Sequence, residues 1–476
     1  MRTRIFALLA AVAALVSCAP AAAAAPGVPW HPCEDNAKVE CAVVPVPIDW
    51  AKPDGPKIDL AVARRPAADP AHRAGSLVYA PAGPGSSGVD AVANDQIFGL
   101  LFPPEQAARF DVVSFDPRGV RRSHPVLCDE KALGELNHPA PRNAAEFDRL
   151  LAAQAALGRS CRDRTGPLID HLDSNVQARD LDALRAALGE QTLNIYALSY
   201  GTVLGQMYAE LFPGRIRTLV LDANVDHSAS TERTDVTGSR AAQESFDVFV
   251  RWCAASAACS LRGKDVKAIV ADLYAKADAG ELTDPDDPAV RLDRGSLAQK
   301  ILEPLGNADV AGVARRIAAL AGPRPAARAG AGGPAPNALP IYLFCADHRN
   351  DIDSYRDLQR VRARSAAVAP DVKTGWHGVP QLCANPPFRT TNPPHRLHVR
   401  GAPPILVTNS RYDDSTPHAG AVRVAEQIGN AALVTYDGLG HGAAPRGRCM
   451  RDVVSAYLID RRVPAAGTRC PAVPLP

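Results

Sequence analysis

Thr192-Leu-Asn-Ile-Tyr-Ala-Leu-Ser-Tyr-Gly-Thr202 carries an apolar run that stops at Ser199, and Gly201-Thr-Val-Leu-Gly-Gln-Met-Tyr-Ala-Glu-Leu-Phe212 continues with helical character. The pattern is strand, sharp turn, helix, with a serine at the apex and small residues two positions to either side, Ala197 and Gly201. Such a turn lifts a serine oxygen clear of a sheet, and only small neighbours avoid a clash there. The usual form has glycine on both sides, so the Ala197 methyl is a mild departure. Taken alone, the motif is no more than a serine at a helix start.

Its surroundings give it weight. Upstream, Ser76-Leu-Val-Tyr79 is a short strand running into Ala80-Pro-Ala-Gly-Pro-Gly-Ser-Ser-Gly88, and Phe110-Asp-Val-Val-Ser-Phe-Asp116 is another, followed by Pro117-Arg-Gly119. A helix is expected over residues 176–188, leading into the Ser199 strand, and Ile216-Arg-Thr-Leu-Val-Leu-Asp222 follows as the next strand. Nearly continuous apolar strands alternating with helices predict an α/β chain with a mostly parallel central sheet covered on both faces. Two earlier strand-like runs, 42–48 and 58–63, contain prolines or lie beside them and are expected to pair as hairpins at a sheet edge.

From Asp226 the strand pattern stops. Residues 229–320 read as amphipathic helices, 321–340 as an Ala/Gly/Pro/Arg-rich loop, and 355–367 as a further helix, with a Pro/Asn-rich stretch ending near 400. The α/β rhythm resumes at Ile405-Leu-Val-Thr408, a helix from Ala419, Leu433-Val-Thr-Tyr436 and a last helix over 452–459. The expected organisation is a leader over 1–25, a core over 26–228, a helical cap inserted over 229–400, and the rest of the core over 401–476.

Composition bounds the compartment and the partners. Met1-Arg-Thr-Arg4, an apolar stretch to Val16 and then alanines read as a secretory signal peptide with cleavage before Pro26. Leu15-Val-Ser-Cys18 offers a second exit, a lipoprotein signal that would anchor the chain by a lipid on Cys18. The expectations are therefore a secreted protein or, alternatively, a cell-surface lipoprotein, with no membrane span. Of 11 cysteines, ten follow Cys18, an even set suited to an oxidising compartment. Their spacing suggests the pairs Cys33–Cys41, Cys128–Cys161, Cys253–Cys259, Cys345–Cys383 and Cys449–Cys470, although spacing alone does not prove connectivity. The 53 basic and 51 acidic residues become 51 and 51 once Arg2 and Arg4 leave with the leader. Without a basic block, nucleic acid is not an expected partner. No Cys-x-x-Cys or His-Glu-x-x-His unit occurs, so no metal site and no cofactor are expected, and His395 and His398 read as surface residues. The chain is expected to be a monomer.

A serine hydroxyl becomes a competent nucleophile when a histidine takes its proton, and that histidine is oriented by a carboxylate. In an open α/β sheet the partners follow on loops after later strands, in the order Ser, acid, His. Ile405-Leu-Val-Thr-Asn-Ser410 is followed by Asp413, and Leu433-Val-Thr-Tyr436 by Gly440-His441-Gly442. Ser199, Asp413 and His441 are the expected triad. Asp414 and Asp222 are weighed as alternative acids, Asp222 being placed more readily as a structural residue. His418 is too close to Asp413 in the chain to meet it across a site. Asp116 and Arg118 are expected to tie their loop by an ion pair. Oxyanion donors are expected from the backbone N–H of Tyr200 and of Gly83, with Ala82 next.

Ala80-Pro-Ala-Gly-Pro-Gly-Ser-Ser-Gly88, Phe110-Asp-Val-Val-Ser-Phe-Asp-Pro-Arg-Gly-Val120, Tyr196-Ala-Leu-Ser-Tyr-Gly-Thr202 and the region from Asp413 to Gly442 resemble the secreted actinobacterial tripeptidyl aminopeptidases. These are α/β-hydrolase serine peptidases related to proline iminopeptidases, and the resemblance extends over nearly the whole mature chain. Ala80 and Ala82 stand where that family has Asn and Gly, Ala197 replaces the elbow glycine, and Arg121 stands where Gly-Arg-Ser is expected. The resemblance implies an exopeptidase whose cap reads a free amino terminus through carboxylates. Glu244 and Asp226 are the candidates for that contact, with Asp347 behind them, since a buried ammonium needs an acidic partner. Three functions compete: a peptidase releasing short peptides, tripeptides included; a carboxylesterase or lipase-like enzyme using the same triad on esters; and a binding protein that has lost catalysis.

Overall fold

The computed structural model describes residues 27–135, 141–322, 339–348, 352–373, 383 and 389–476. The leader, Cys18 and most of the Ala/Gly/Pro/Arg-rich tract lie outside the described residues. Ten strands form one sheet: β1 (His31–Pro32), β2 (Glu40–Pro47), β3 (Lys57–Arg65), β4 (Ser76–Ala80), β5 (Asp111–Phe115), β6 (Leu193–Leu198), β7 (Ile216–Asp222), β8 (Leu406–Tyr412), β9 (Ala432–Leu439) and β10 (Arg469–Cys470). Their spatial order is β1-β2-β3-β5-β4-β6-β7-β8-β9-β10. The first three junctions, β1–β2, β2–β3 and β3–β5, are antiparallel, and the rest are parallel. This is the α/β-hydrolase fold expected from the sequence.

β2 and β3 pair as the expected hairpin, with Pro45 and Pro47 opposite Asp59 and Lys57. Beyond its two-residue pairing with β1, β2 is an edge, where a missing N–H costs no ladder bond. β4 is buried throughout and β6 nearly so, as strands covered on both faces must be. The order reverses beside β4, and the crevice at the C-terminal ends of β4 and β6 is where this sheet type binds its ligands. Register sharpens the point. Ala80 lies beside Ala197, Leu198 beside Asp222, Asp222 beside Thr408, and Tyr412 beside Leu439. Every loop with an expected catalytic residue therefore leaves the same end of the sheet.

Between β7 and β8 stand helices Thr231–Ala255, Val266–Asp278, Arg294–Gly306, Val310–Ala321, Leu339–Asp347 and Tyr355–Val368. Five of the six begin on a capping side chain, Ser230, Asp265, Asp293, Asp309 or Ser354, each accepting a backbone N–H of the first turn. The expected cap does not pack as one unit. Phe246, Phe249, Leu273, Ile301 and Ile317 centre a separate core, whereas Tyr342–Ala346 and Leu397 join the core beneath the sheet. The physical reason is the run Tyr342-Leu-Phe-Cys-Ala346, five uncharged residues in succession that are all buried and pack into that core. The chain between 119 and 175, where no element is expected, contains the 22-residue helix Ala144–Thr165. Its buried face includes Gln154 and Gly158 among the apolar residues, which blurs the helical period. All five expected disulfides are present.

Candidate active site

Ser199 sits at the apex between β6 and helix Gly201–Leu211 with φ +57°, a left-handed conformation that non-glycine residues seldom adopt. Two bonds hold its carbonyl, from Thr202 N at 2.9 Å and Thr202 Oγ1 at 2.5 Å. A Cβ at Gly201 would be driven into the carbonyls of Ala80 and Pro81, so only glycine lets the loop after β4 pass the turn. The Ala197 methyl is accommodated from the other side. Gly205 faces it, and a Cβ built there would lie 3.1 Å from Ala197 Cβ and 2.7 Å from a Leu221 methyl.

Asp222 joins the serine turn to the histidine loop. Its backbone carbonyl accepts Ser199 N–H at 2.9 Å, and its carboxylate accepts Ala443 N and Ala444 N at 2.9 and 3.0 Å. Tyr196 Oη at 3.0 Å and Thr408 Oγ1 at 2.8 Å complete four donors to that carboxylate. Burial pushes the Asp222 carboxyl above its ordinary value, and these donors act against the shift. As an acid for His441 it is thus already occupied; its role is to set the distance between two loops.

His441 follows β9. Its Nδ1 lies 3.1 and 3.0 Å from the two carboxylate oxygens of Asp413, a fully buried residue. Asp413 also accepts Ser415 N at 2.9 Å, Thr416 N at 2.8 Å and Thr416 Oγ1 at 3.0 Å. Thr416 is a member that sequence reading missed: its hydroxyl lies 3.3 Å from His441 Nδ1 as well, so it steadies both partners. Burial opposes the imidazolium, yet the Asp413 charge and hydrogen bond, aided by Asp414 and Asp222, hold His441 above the ordinary imidazole value. Asp414 does not orient the ring. Burial and the Asp413 charge push its carboxyl up to about 7, and its Oδ1 has no hydrogen-bond partner among the described residues. His418, at the start of helix His418–Ile428, turns its Nε2 to Thr435 Oγ1 at 2.8 Å.

The loop after β4 passes the elbow with Gly83 at φ +122°, where a Cβ would meet Gly85 N at 2.6 Å. Among the described residues, no protein acceptor takes the N–H of Gly83 or of Tyr200. The Ala82 amide faces the Tyr79 hydroxyl instead. This loop is anchored by Asp116, which accepts Ser87 Oγ and Val89 N. The expected Asp116–Arg118 pair does not form. Asp116 pairs with Arg122 at 3.1 Å, and Arg118 turns inward to Asp180 at 2.6 Å, because helix Ser174–Ala187 presents that carboxylate beneath the loop.

The carboxylates expected to read an ammonium fare differently. Asp226 is bound by Arg423 Nε at 2.7 Å and by Ser228, so its charge is already neutralised. Asp347 is enclosed by Ser174 N and Oγ, Asn392 Nδ2 and Tyr200 Oη, the last at 2.6 Å. It anchors the side chain of Tyr200, the residue after Ser199. Glu244, half-buried on helix Thr231–Ala255, has no hydrogen-bond or ion-pair partner among the described residues. His395, expected at the surface, is half-buried against Glu210 at 2.9 Å, which raises its imidazole against the opposing effect of burial.

The TAP-like protein family model matches residues 369–470. Over 93% of its length this chain is 31% identical to serine protease Hip1 of Mycobacterium tuberculosis, covering 91% of that protein. It is also 31% identical to the tripeptidyl aminopeptidase of Streptomyces lividans, over 95% of this chain and 88% of that one. The chain belongs to the tripeptidyl aminopeptidase family of α/β-hydrolase serine peptidases. It is a serine hydrolase. Carboxylesterase B of M. tuberculosis is 30% identical over 95% of this chain and 92% of its own, so relatives under both names align along nearly the full length.

Proposed function

We propose that this tripeptidyl aminopeptidase family member is a secreted exopeptidase that releases short peptides, tripeptides included, from free N-termini. Ser199 Oγ attacks the scissile carbonyl and His441 takes its proton, while Asp413 holds the ring with Nδ1–H turned inward and Nε2 free. The amides of Tyr200 and Gly83 receive the oxyanion. Protonated His441 then gives its proton to the leaving amine, and water hydrolyses the acyl-enzyme by the same steps. The observation that carries the catalytic part of this reading is Asp222, which binds the serine turn with its carbonyl and the histidine loop with its carboxylate.

Exopeptidase action is supported by the family and by Glu244, a half-buried carboxylate left without a partner among the described residues. Asp226, held by Arg423, is not retained for that role. Export is supported by the leader sequence and by the pairing of all ten later cysteines. The deciding measurement is hydrolysis of one chromogenic tripeptide, with free and with acetylated N-terminus, by the mature protein and its Ser199→Ala variant. Cleavage of the free form alone, abolished in the variant, is the expected result. Equal cleavage of both forms would turn the assignment to the carboxylesterase reading, which the carboxylesterase relative favours.

A further inference from the structure

Helix Arg294–Gly306 of the cap ends against the histidine loop. The Gly306 carbonyl accepts two donors, His441 N at 2.7 Å and Arg446 Nη2 at 2.8 Å. The same Nη2 donates to the His441 carbonyl at 2.9 Å, and Arg446 Nε donates to the Gly442 carbonyl at 2.8 Å. The guanidinium rests on Gly440, at φ +117°, where a Cβ would fall inside it. One planar group thus ties the end of a cap helix to the carbonyls of His441 and of the residue after it.

Two features make this more than surface decoration. Arg446 is half-buried, yet all its acceptors are carbonyls, and no carboxylate pairs with it among the described residues. The carbonyls at a helix C-terminus carry partial negative charge, so a cation is favoured there without a counter-ion. An arginine fork can also hold several acceptors in one plane, which an ammonium cannot. The groups facing it from neighbouring elements are the helix end at Gly306 and Asp414, whose charge it attracts.

We propose that Arg446 is a positioning residue that makes the docked cap a condition of catalysis, by clamping helix Arg294–Gly306 to the backbone of His441. The inference rests on His441 acting as the base. With the clamp in place, the imidazole is aimed by Asp413 at its ring and by the cap at its main chain. Without it, the Asp222 bonds and the bond from His441 N to the Gly306 carbonyl remain, but the ties through the His441 and Gly442 carbonyls are lost. A displacement of about 1 Å at a reacting group costs on the order of a hundredfold in rate.

The test uses the full chain with Arg446→Met and Arg446→Lys, assayed on a chromogenic tripeptide and on p-nitrophenyl acetate. Arg446→Met is expected to lower kcat on both substrates by about 10- to 100-fold, with KM little changed. Arg446→Lys should give an intermediate kcat, and it carries the test if the methionine variant does not fold. A kcat within about twofold of the parent, or a loss confined to KM for the peptide, would overturn the proposal. Ser199→Ala runs beside them. Turnover surviving in that variant would overturn the triad and leave the clamp without a base to position, a different failure from an inert Arg446 substitution.

Discussion

His441 shows how one ring can be described from its surroundings. Its Nδ1 spans both oxygens of Asp413, and in the proposed mechanism a buried carboxylate at that distance stabilises the imidazolium that forms as Ser199 gives up its proton. The base must be neutral to act, so activity rises as pH passes the His441 pKa, and the raised value sets the acid limb above the ordinary imidazole range. Asp413→Asn removes the charge that holds that value up. Its acid limb should move to lower pH, and kcat should fall by about four orders of magnitude, as an amide also permits the wrong tautomer. A kcat/KM profile against pH checks both, and an unmoved limb would contradict the role of Asp413. The three expected catalytic positions, Ser199, Asp413 and His441, are legible because each follows a strand in a fixed order. Thr416 and Asp222 were harder: a threonine two residues into a turn and an acid at a strand end have no local signature. Only the fold brings their oxygens to His441 and to the loop behind it.

Among the elements, the buried pair of Arg118 and Asp180 has the largest consequence. Arg118 Nε and Nη2 each reach Asp180 at 2.6 Å, and the remaining donors take the carbonyls of Pro47, Ile48 and His171. The end of β2, the loop after β5 and helix Ser174–Ala187 meet on one guanidinium. Both side chains are fully buried, so breaking the pair leaves a desolvated charge with one partner, Trp50 Nε1 at 2.9 Å. Arg118→Met should cost about 3–5 kcal/mol in urea unfolding. Adding Asp180→Leu should recover much of the loss, since an apolar pair can replace a buried ionic one. A single variant as stable as the parent would show that the guanidinium is not needed there. The sequence placed an ion pair in this loop but assigned it to Asp116. Acid and base residues two apart look like partners in one dimension, whereas Asp116 takes Ser87, Val89 and Arg122 and Arg118 takes Asp180.

The covalent framework belongs to the full chain. Five disulfides join neighbours in sequence, the widest closing 33 and 38 residues, and Cys345–Cys383 fastens the helix whose Asp347 holds Tyr200. Removing that bridge by Cys345→Ala with Cys383→Ala should cost about 2–4 kcal/mol, chiefly by releasing the unfolded chain. The readout is the thermal midpoint of the double variant beside the parent with and without reductant. An unchanged midpoint would mean that the bridge constrains nothing that packing does not.

The α/β class, the edge hairpin, the strand–turn–helix around Ser199 and the order of the expected Ser199, Asp413 and His441 are legible in the sequence, and the cysteine spacing suggests the pairs that the structure shows. These are written in short-range patterns: a period of two or an apolar run for strands, small residues beside a strained serine, and cysteines that close nearby loops. Tertiary structure alone decided which carboxylates are free. Asp226, Asp347 and Glu244 are all simply acidic in the sequence, but Arg423 neutralises the first, four donors enclose the second, and the third has no partner among the described residues. It also decided that the helices between β7 and β8 divide between two cores and that Arg446 meets the end of a helix 140 residues away. Such contacts depend on how far the chain travels before it returns, and no local pattern records that distance.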